Sequence, residues 1–230
     1  MKKLIMLILL WTAFTGNLCL AQKVITKTFT YQNGQKINLH LKFGQKIKVH
    51  AWNQNKVEIK SSVKINNGKL NNAFQFKSGQ NTGSIWVSTD LDKQKLKEAK
   101  CADCTSQNHH FSTFDGTRVC MDISYEVWAP PKANISLKTI SADITIRGMR
   151  GPVHAKTISG FVDMNWPDNE GAQLAMKSIS GELYSNLPIQ FQNRHKTIAP
   201  VGYTLRGTLK NGGPDVHLES ISGNIYLRKD

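Results

Sequence analysis

The sequence predicts an all-β protein: a right-handed parallel β-helix-like solenoid in the C-terminal half, preceded by an N-terminal β-sheet region, with a two-sheet β-sandwich as the alternative. Three observations predict it. Apolar and polar residues alternate over long stretches, the period of a half-buried strand. A short motif recurs after residue 138 at steps of 18, 21, 19 and 23 residues. The apolar runs are separated by Gly, Asn and Pro turn signals and lack the longer period of amphipathic helices.

The chain opens with Lys2 and Lys3, an apolar run from Leu4 to Phe14 and a more polar stretch ending in Cys19-Leu20-Ala21. This reads as a secretory signal peptide over 1–21, cleaved before Gln22. The apolar run reaches about 16 Å as a helix, well short of the roughly 30 Å hydrocarbon core of a bilayer. Leu18 stands where lipoprotein cleavage before Cys19 needs a small residue. No later stretch is long and apolar enough to span a membrane as a helix. The expected location is the periplasm, the outer membrane surface or the extracellular space.

Residues 22–130 form the N-terminal β-strand region. Ile37, Leu39, Leu41 and Phe43, then Ile47, Val49 and Ala51, then Val57, Ile59, Val63 and Ile65 recur at even spacing, with turns signalled at Asn33-Gly34, Gly44 and Asn53 to Asn55. Val119, Met121, Ile123, Tyr125 and Val127 predict one further long strand, ended by Pro130-Pro131. Between them, residues 90–116 make a polar excursion with a short helix predicted over Leu91 to Lys100.

Residues 131–230 form the repeat region. Its copies are Thr139-Ile140-Ser141-Ala142, Thr157-Ile158-Ser159-Gly160, Ser178-Ile179-Ser180-Gly181, Thr197-Ile198-Ala199-Pro200 and Ser220-Ile221-Ser222-Gly223. Relative to the third residue, apolar side chains stand at −6, −4, −1, +3 and +5, with Ser185 the single miss in the four full copies. The copy around Ala199 is degenerate. Alternation on both sides of the motif predicts a strand, a corner and a second strand, and the small fourth residue marks the corner. One such unit cannot bury its apolar face alone, so neighbouring copies must stack. Ile140, Ile158, Ile179, Ile198 and Ile221 are the expected internal ladder.

The run Asp122-Ile123-Ser124-Tyr125-Glu126-Val127, followed by Pro130-Pro131-Lys132-Ala133 and the serial Thr-Ile-Ser-Gly copies, closes on Ser222-Gly223-Asn224-Ile225-Tyr226-Leu227. It resembles the bacterial putative-adhesin domains of unknown function with β-strand repeats. That resemblance implies an exported, β-helix-like envelope protein with a role in adhesion, and it supplies neither catalytic residues nor a ligand. The degenerate copy at Ala199 and the excursion depart from the pattern.

The chain carries 30 Lys plus Arg against 16 Asp plus Glu, a net charge of +14, which loss of Lys2 and Lys3 would lower to +12. Such charge usually points to nucleic acid, a partner that an exported protein rarely meets. Envelope glycan, anionic lipid or a surface protein are the partners expected instead. Lys138, Lys156, Lys177 and Lys196 share one repeat position, with Glu219 at the last copy. Stacked copies would set them about 4.8 Å apart in a column, a candidate anion-binding stripe whose repulsion an anionic partner relieves. The alternative is a solvated, solubilising edge.

Cys101, Cys104, His109, His110 and Cys120 form the sharpest local constellation. Cys-x-x-Cys with nearby imidazoles suits zinc, whereas an oxidising compartment favours a disulfide. Cys120 is expected on the solvent face of its strand. No cofactor is expected apart from that zinc alternative. Enzyme motifs are absent: there is no Gly-x-Ser-x-Gly, His-Glu-x-x-His or phosphate loop. Asp163, Asp168, Glu170 and Glu182 are the nearest carboxylate grouping, and Tyr184, Tyr203 and Tyr226 share the +4 position, where they either stack sugars or pack between copies. The sequence therefore reads as a non-enzymatic adhesin or polyanion-binding envelope protein. A periplasmic scaffold or signalling component with a protein partner is the second reading, and a polysaccharide-active enzyme the third.

Overall fold

A computed structural model describes residues 22–97, 110–114, 116–192 and 202–230. Residues 1–21, predicted above as a signal peptide, and Cys101, Cys104, His109, Lys196 and Ile198 lie outside the described residues, and for His110 only the backbone is described. In chain order the strands are β1 (Lys23–Thr30), β2 (Lys36–Leu41), β3 (Phe43–Ala51), β4 (Lys56–Ile65), β5 (Phe74–Gln80), β6 (Ser84–Leu91), β7 (His110–Phe114) and β8 (Thr117–Ala129). The repeat region adds β9 (Asn134–Lys138), β10 (Ser141–Arg147), β11 (Val153–Thr157), β12 (Val162–Trp166), β13 (Ala172–Ser178) and β14 (Leu183–Ser185). It ends with β15 (Gln190–Phe191), β16 (Thr204–Leu209), β17 (Asp215–Ser220) and β18 (Ile225–Lys229). Of the predicted helix, the described residues hold one turn, α1 (Lys93–Leu96), capped by the Asp92 carboxylate, which accepts from the N–H groups of Gln94 and Lys95.

Among the described residues the strands form two nine-stranded mixed sheets. Sheet A runs β1-β4-β8-β3-β10-β12-β18-β14, with β7 also paired to β8, and sheet B runs β15-β16-β13-β17-β11-β9-β2-β6-β5. The chain is all-β, and the two-sheet sandwich is the architecture that fits. Each full repeat gives its first strand to sheet B and its second to sheet A, and the strands of repeats adjacent in space pair in parallel. The same sheets continue into β2, which pairs with β9, and β3, which pairs with β10. Ile37, Leu39, Ile135, Leu137, Ala155 and Leu218 from sheet B share one buried cluster with Val49, Val127, Ile144, Met164 and Trp166 from sheet A. Across the core, Thr89 and Tyr125 hydroxyls hydrogen-bond at 3.1 Å, and Tyr125 also donates to the Phe43 carbonyl at 2.8 Å.

The repeats do not stack in chain order. β17 lies between β11 and β13, and β18 lies between β12 and β14, so the last copy in sequence is the penultimate one in space.

The corners explain the motif. Its first hydroxyl turns inward and donates to the carbonyl of the fourth residue of the neighbouring copy: Thr157 to Ala142 at 3.0 Å, Ser220 to Gly160 at 2.8 Å and Ser178 to Gly223 at 2.8 Å. A Cβ on Gly223 would lie 2.0 Å from the Gly160 carbonyl oxygen, so the fourth residue is small because backbone meets backbone there. The isoleucines are not an internal ladder. Ile140, Ile158 and Ile179 are 37%, 39% and 39% exposed. The inward series continues through the hydroxyl at −2, buried as Thr139, Thr157 and Ser220, and resumes at +1, buried as Ala142. The parity break therefore falls between −2 and +1, and the residue at −1 is turned out of the corner.

Candidate functional site

The outer face of sheet B gathers three of the four lysines predicted to bind anions. Cross-strand register sets His40 beside Lys138, Lys138 beside Lys156, Lys156 beside Glu219 and Glu219 beside Lys177. Three of the four predicted lysines thus share one row, while Lys196 lies outside the described residues. The row is not an unbroken lysine column. The displaced last copy places Glu219 between Lys156 and Lys177, and Lys156 Nζ donates to Glu219 Oε1 at 2.9 Å. The repulsion expected of the column is in part relieved from within the fold. Burial raises the Glu219 carboxyl, but the hydrogen bond and charge of Lys156, with Lys177 and His217 beyond, bring it below the usual glutamate value.

The next row toward the strand starts reads Asn38, Ser136, His154, His217, Ala175 and Arg206. The imidazoles of His154 and His217 stack with centroids 4.6 Å apart and an interplanar angle of 18°. Both Nε2 atoms are buried and have no hydrogen-bond partner among the described residues. Burial is the main cause that lowers both pKa values; His217 and Lys138 add to it at His154, and Arg206 and Lys156 at His217, against an opposing pull from Glu219. A lowered imidazole is neutral at pH 7. The pair forms part of the wall of a cleft of about 540 Å³, with Lys36, Asn134, Gln173, Gln192, Arg206 and Asp215 among its other lining residues. His154, His217 and Glu219 each offer one donor atom, all within 4.8 Å of one another. The sequence reading missed this pair. A signal was present, since both histidines occupy position −5 of their copies.

The corner isoleucines run alongside the lysine row. Ile140, Ile158, Ile221 and Ile179 follow one another in the stacking order, tied by bonds from the Ser159 N–H to the Ile140 carbonyl, Ser222 to Ile158, and Ser180 to Ile221. Each follows a row member by two residues: Lys138, Lys156, Glu219 and Lys177. The result is an apolar line bordered by a basic line.

The remaining candidates take other positions. Cys120 is disulfide-bonded and only 2% exposed, which corrects the expected solvent-facing placement. β8 is covered at this point: β7 pairs along it through Phe111, and the Cys120 N–H donates to Asn66 Oδ1 at 2.9 Å. The carboxylates of the enzyme reading each have a partner. Asp163 binds Arg147 at 2.6 Å and also Arg228, Glu170 binds Arg150 at 3.0 Å, Asp168 binds Lys229, and Glu182 accepts from the Tyr184 hydroxyl. Tyr184 stacks on Tyr226 at 5.1 Å and 8°, so these two rings pack between copies, with Tyr184 remaining 43% exposed.

Comparison with solved structures finds a likeness of fold. A putative cell adhesion protein from Clostridium sporogenes ATCC 15579 aligns with a TM-score of 0.53 at 11% identity, over 91% of this chain and 100% of that one. A putative adhesin from Bacteroides fragilis NCTC 9343 aligns at 10% identity, with a TM-score of 0.24, over 91% and 98% of the two chains. A putative lipid binding protein from Parabacteroides distasonis ATCC 8503 aligns at 9% identity, with a TM-score of 0.25, over 90% and 97%. The first of these carries the likeness, and it is a likeness of fold. No protein-family model matches the chain, and no curated protein matches it significantly. Among the described residues no helix is long and apolar enough to cross a membrane.

Proposed function

We propose that the protein is an exported, non-enzymatic surface protein of the adhesin type, which docks the isoleucine-edged side of sheet B against an anionic lipid surface of the cell envelope. The observation that carries this reading is the adjacency of the two lines, Ile140, Ile158, Ile221 and Ile179 beside Lys138, Lys156 and Lys177. Apolar side chains entering the headgroup boundary and lysines meeting acidic headgroups are the two attractions that hold a protein on a bilayer without a spanning segment. Full burial of an exposed aliphatic side chain contributes about 1.5–3 kcal/mol, so these partly exposed residues each contribute less. A lysine close to an acidic leaflet adds about 1 kcal/mol. The pairing of each candidate carboxylate supports a binding role over glycosidic catalysis, which needs two carboxyl groups free to exchange protons or attack. The name of the Clostridium sporogenes structure supports the same direction.

The test is co-sedimentation of the mature chain with vesicles of phosphatidylglycerol and phosphatidylcholine, or of phosphatidylcholine alone. Binding is expected to the acidic vesicles only and to fall with salt. It should weaken in Ile140→Ser/Ile158→Ser/Ile179→Ser and in Lys138→Gln/Lys177→Gln. Binding indifferent to both sets of substitutions would remove the proposal, as would preference for an acidic polysaccharide without affinity for the vesicles.

A further inference from the structure

We infer that His154, His217 and Glu219 form a binding site for a divalent transition-metal ion of the zinc class. Their donor atoms lie within 4.8 Å of one another, a span that small side-chain rotations bring to the separations of a tetrahedral site. The placement is dictated by the fold. β11 and β17 pair in parallel with His154 directly opposite His217, and Glu219 follows His217 by two residues on the same face of β17. The last repeat must be inserted beside β11 for these three residues to meet.

Two buried Nε2 atoms without partners are the second observation. A buried polar nitrogen left unpaired is costly, and such groups call for a missing partner. A metal ion satisfies an imidazole nitrogen outright. Two imidazoles and one carboxylate suit zinc, copper or nickel rather than calcium or magnesium, which take oxygen donors. Three protein donors leave a fourth position, and the adjoining cleft gives it room for water or for an acidic group of a ligand. Glu219 is already oriented by Lys156, which bonds Oε1, the kind of outer partner that holds a metal-binding carboxylate in place. Lys36, Lys138, Lys156, Lys177 and Arg206 lie around the imidazoles and oppose the charge of a divalent ion, so the site favours a fourth ligand that is itself anionic. This assignment rests on the three clustered donors and the two unpartnered imidazole nitrogens, and is independent of the isoleucine edge.

Titration of the mature chain with Zn²⁺ by calorimetry, in metal-free buffer, tests it. Binding is expected at one equivalent in the wild type and in Cys101→Ser/Cys104→Ser. It should weaken at least about tenfold in His154→Gln, in His217→Gln and in Glu219→Gln. Electron paramagnetic resonance of the Cu²⁺-loaded wild type, which requires no substitution, should show hyperfine coupling from two imidazole nitrogens. Absence of Zn²⁺ binding, binding unchanged in the His154→Gln/His217→Gln double variant, or binding lost only with the cysteines would each overturn the site.

Discussion

Asp163 is held on both sides by guanidinium groups, Arg147 from β10 and Arg228 from β18, and is itself only 8% exposed. The three residues tie neighbouring copies together across the outer face of sheet A. Removing the central charge leaves two arginines crowded without their counter-ion. Because both are partly solvated, the cost falls below that of a fully buried pair: Asp163→Asn should lower stability by about 2 kcal/mol in urea unfolding. The histidine pair makes a pH prediction of the opposite kind. Both folded pKa values are lowered from 6.5, so above pH 6.5 neither state takes up a proton and the pair adds no pH dependence. Below it the unfolded chain takes up protons that the folded pair resists, and stability declines as pH falls. In metal-free buffer the thermal midpoint should therefore drop between pH 6.5 and 5, and this slope should flatten in His154→Gln/His217→Gln. Glu219 and Asp90, both lowered, act at more acidic pH, where their loss of stability begins as the unfolded carboxylates protonate.

The corner is the element that the sequence describes best and that local reading mistakes in one respect. Strand periods, the turn and the small fourth residue all follow from local physics. The side on which isoleucine lies does not, because a corner permits either a wide or a narrow inside, and only its packing decides between them. Here the narrow inside is filled by Thr or Ser, whose hydroxyl binds the next copy's carbonyl. Isoleucine has no such bond to make and is displaced outward. The same geometry predicts that Gly223→Ala is severe. Its new methyl would meet the Gly160 carbonyl oxygen at 2.0 Å and the Phe161 nitrogen at 3.1 Å, both backbone atoms that cannot swing aside, and the expected cost is about 3 kcal/mol in chemical denaturation. Ala142 shows the contrast: as the first corner in the stack of four, it keeps a Cβ and stays buried at 3% exposure.

At the scale of the molecule, the sheets were legible in kind and the order of their strands was not. Strand identity follows from spacing within ten residues, but the neighbour of β17 is settled by contacts far apart in the chain. One residue carried a hint: Glu219 replaces the lysine of the other copies, and a carboxylate is favoured between two lysines on adjacent strands. The histidine site was missed for the same reason, since His154 and His217 are 63 positions apart and meet only through the inserted copy. Insertion also makes the C-terminal copy indispensable. In a stack that follows the chain, deleting the last repeat trims one end. Deleting residues 215–230 from this protein removes the central partner of β11 and β13 and of β12 and β14. The shortened chain should lose its cooperative thermal transition by circular dichroism and become sensitive to limited proteolysis. Retention of a sharp transition would contradict the strand order.

That order also governs when the protein can become complete. A polypeptide delivered amino terminus first presents β13 and β14 before the strands that belong on their inner side exist. Until Ser220 arrives, β11 and β13 lack a shared neighbour, and until Lys229 arrives so do β12 and β14; their unpaired backbone edges are the kind that recruit strands from other chains. Assembly must therefore close from the middle and late. A chain of this design depends on being kept apart from its own copies during delivery more than one whose units are added at a growing end.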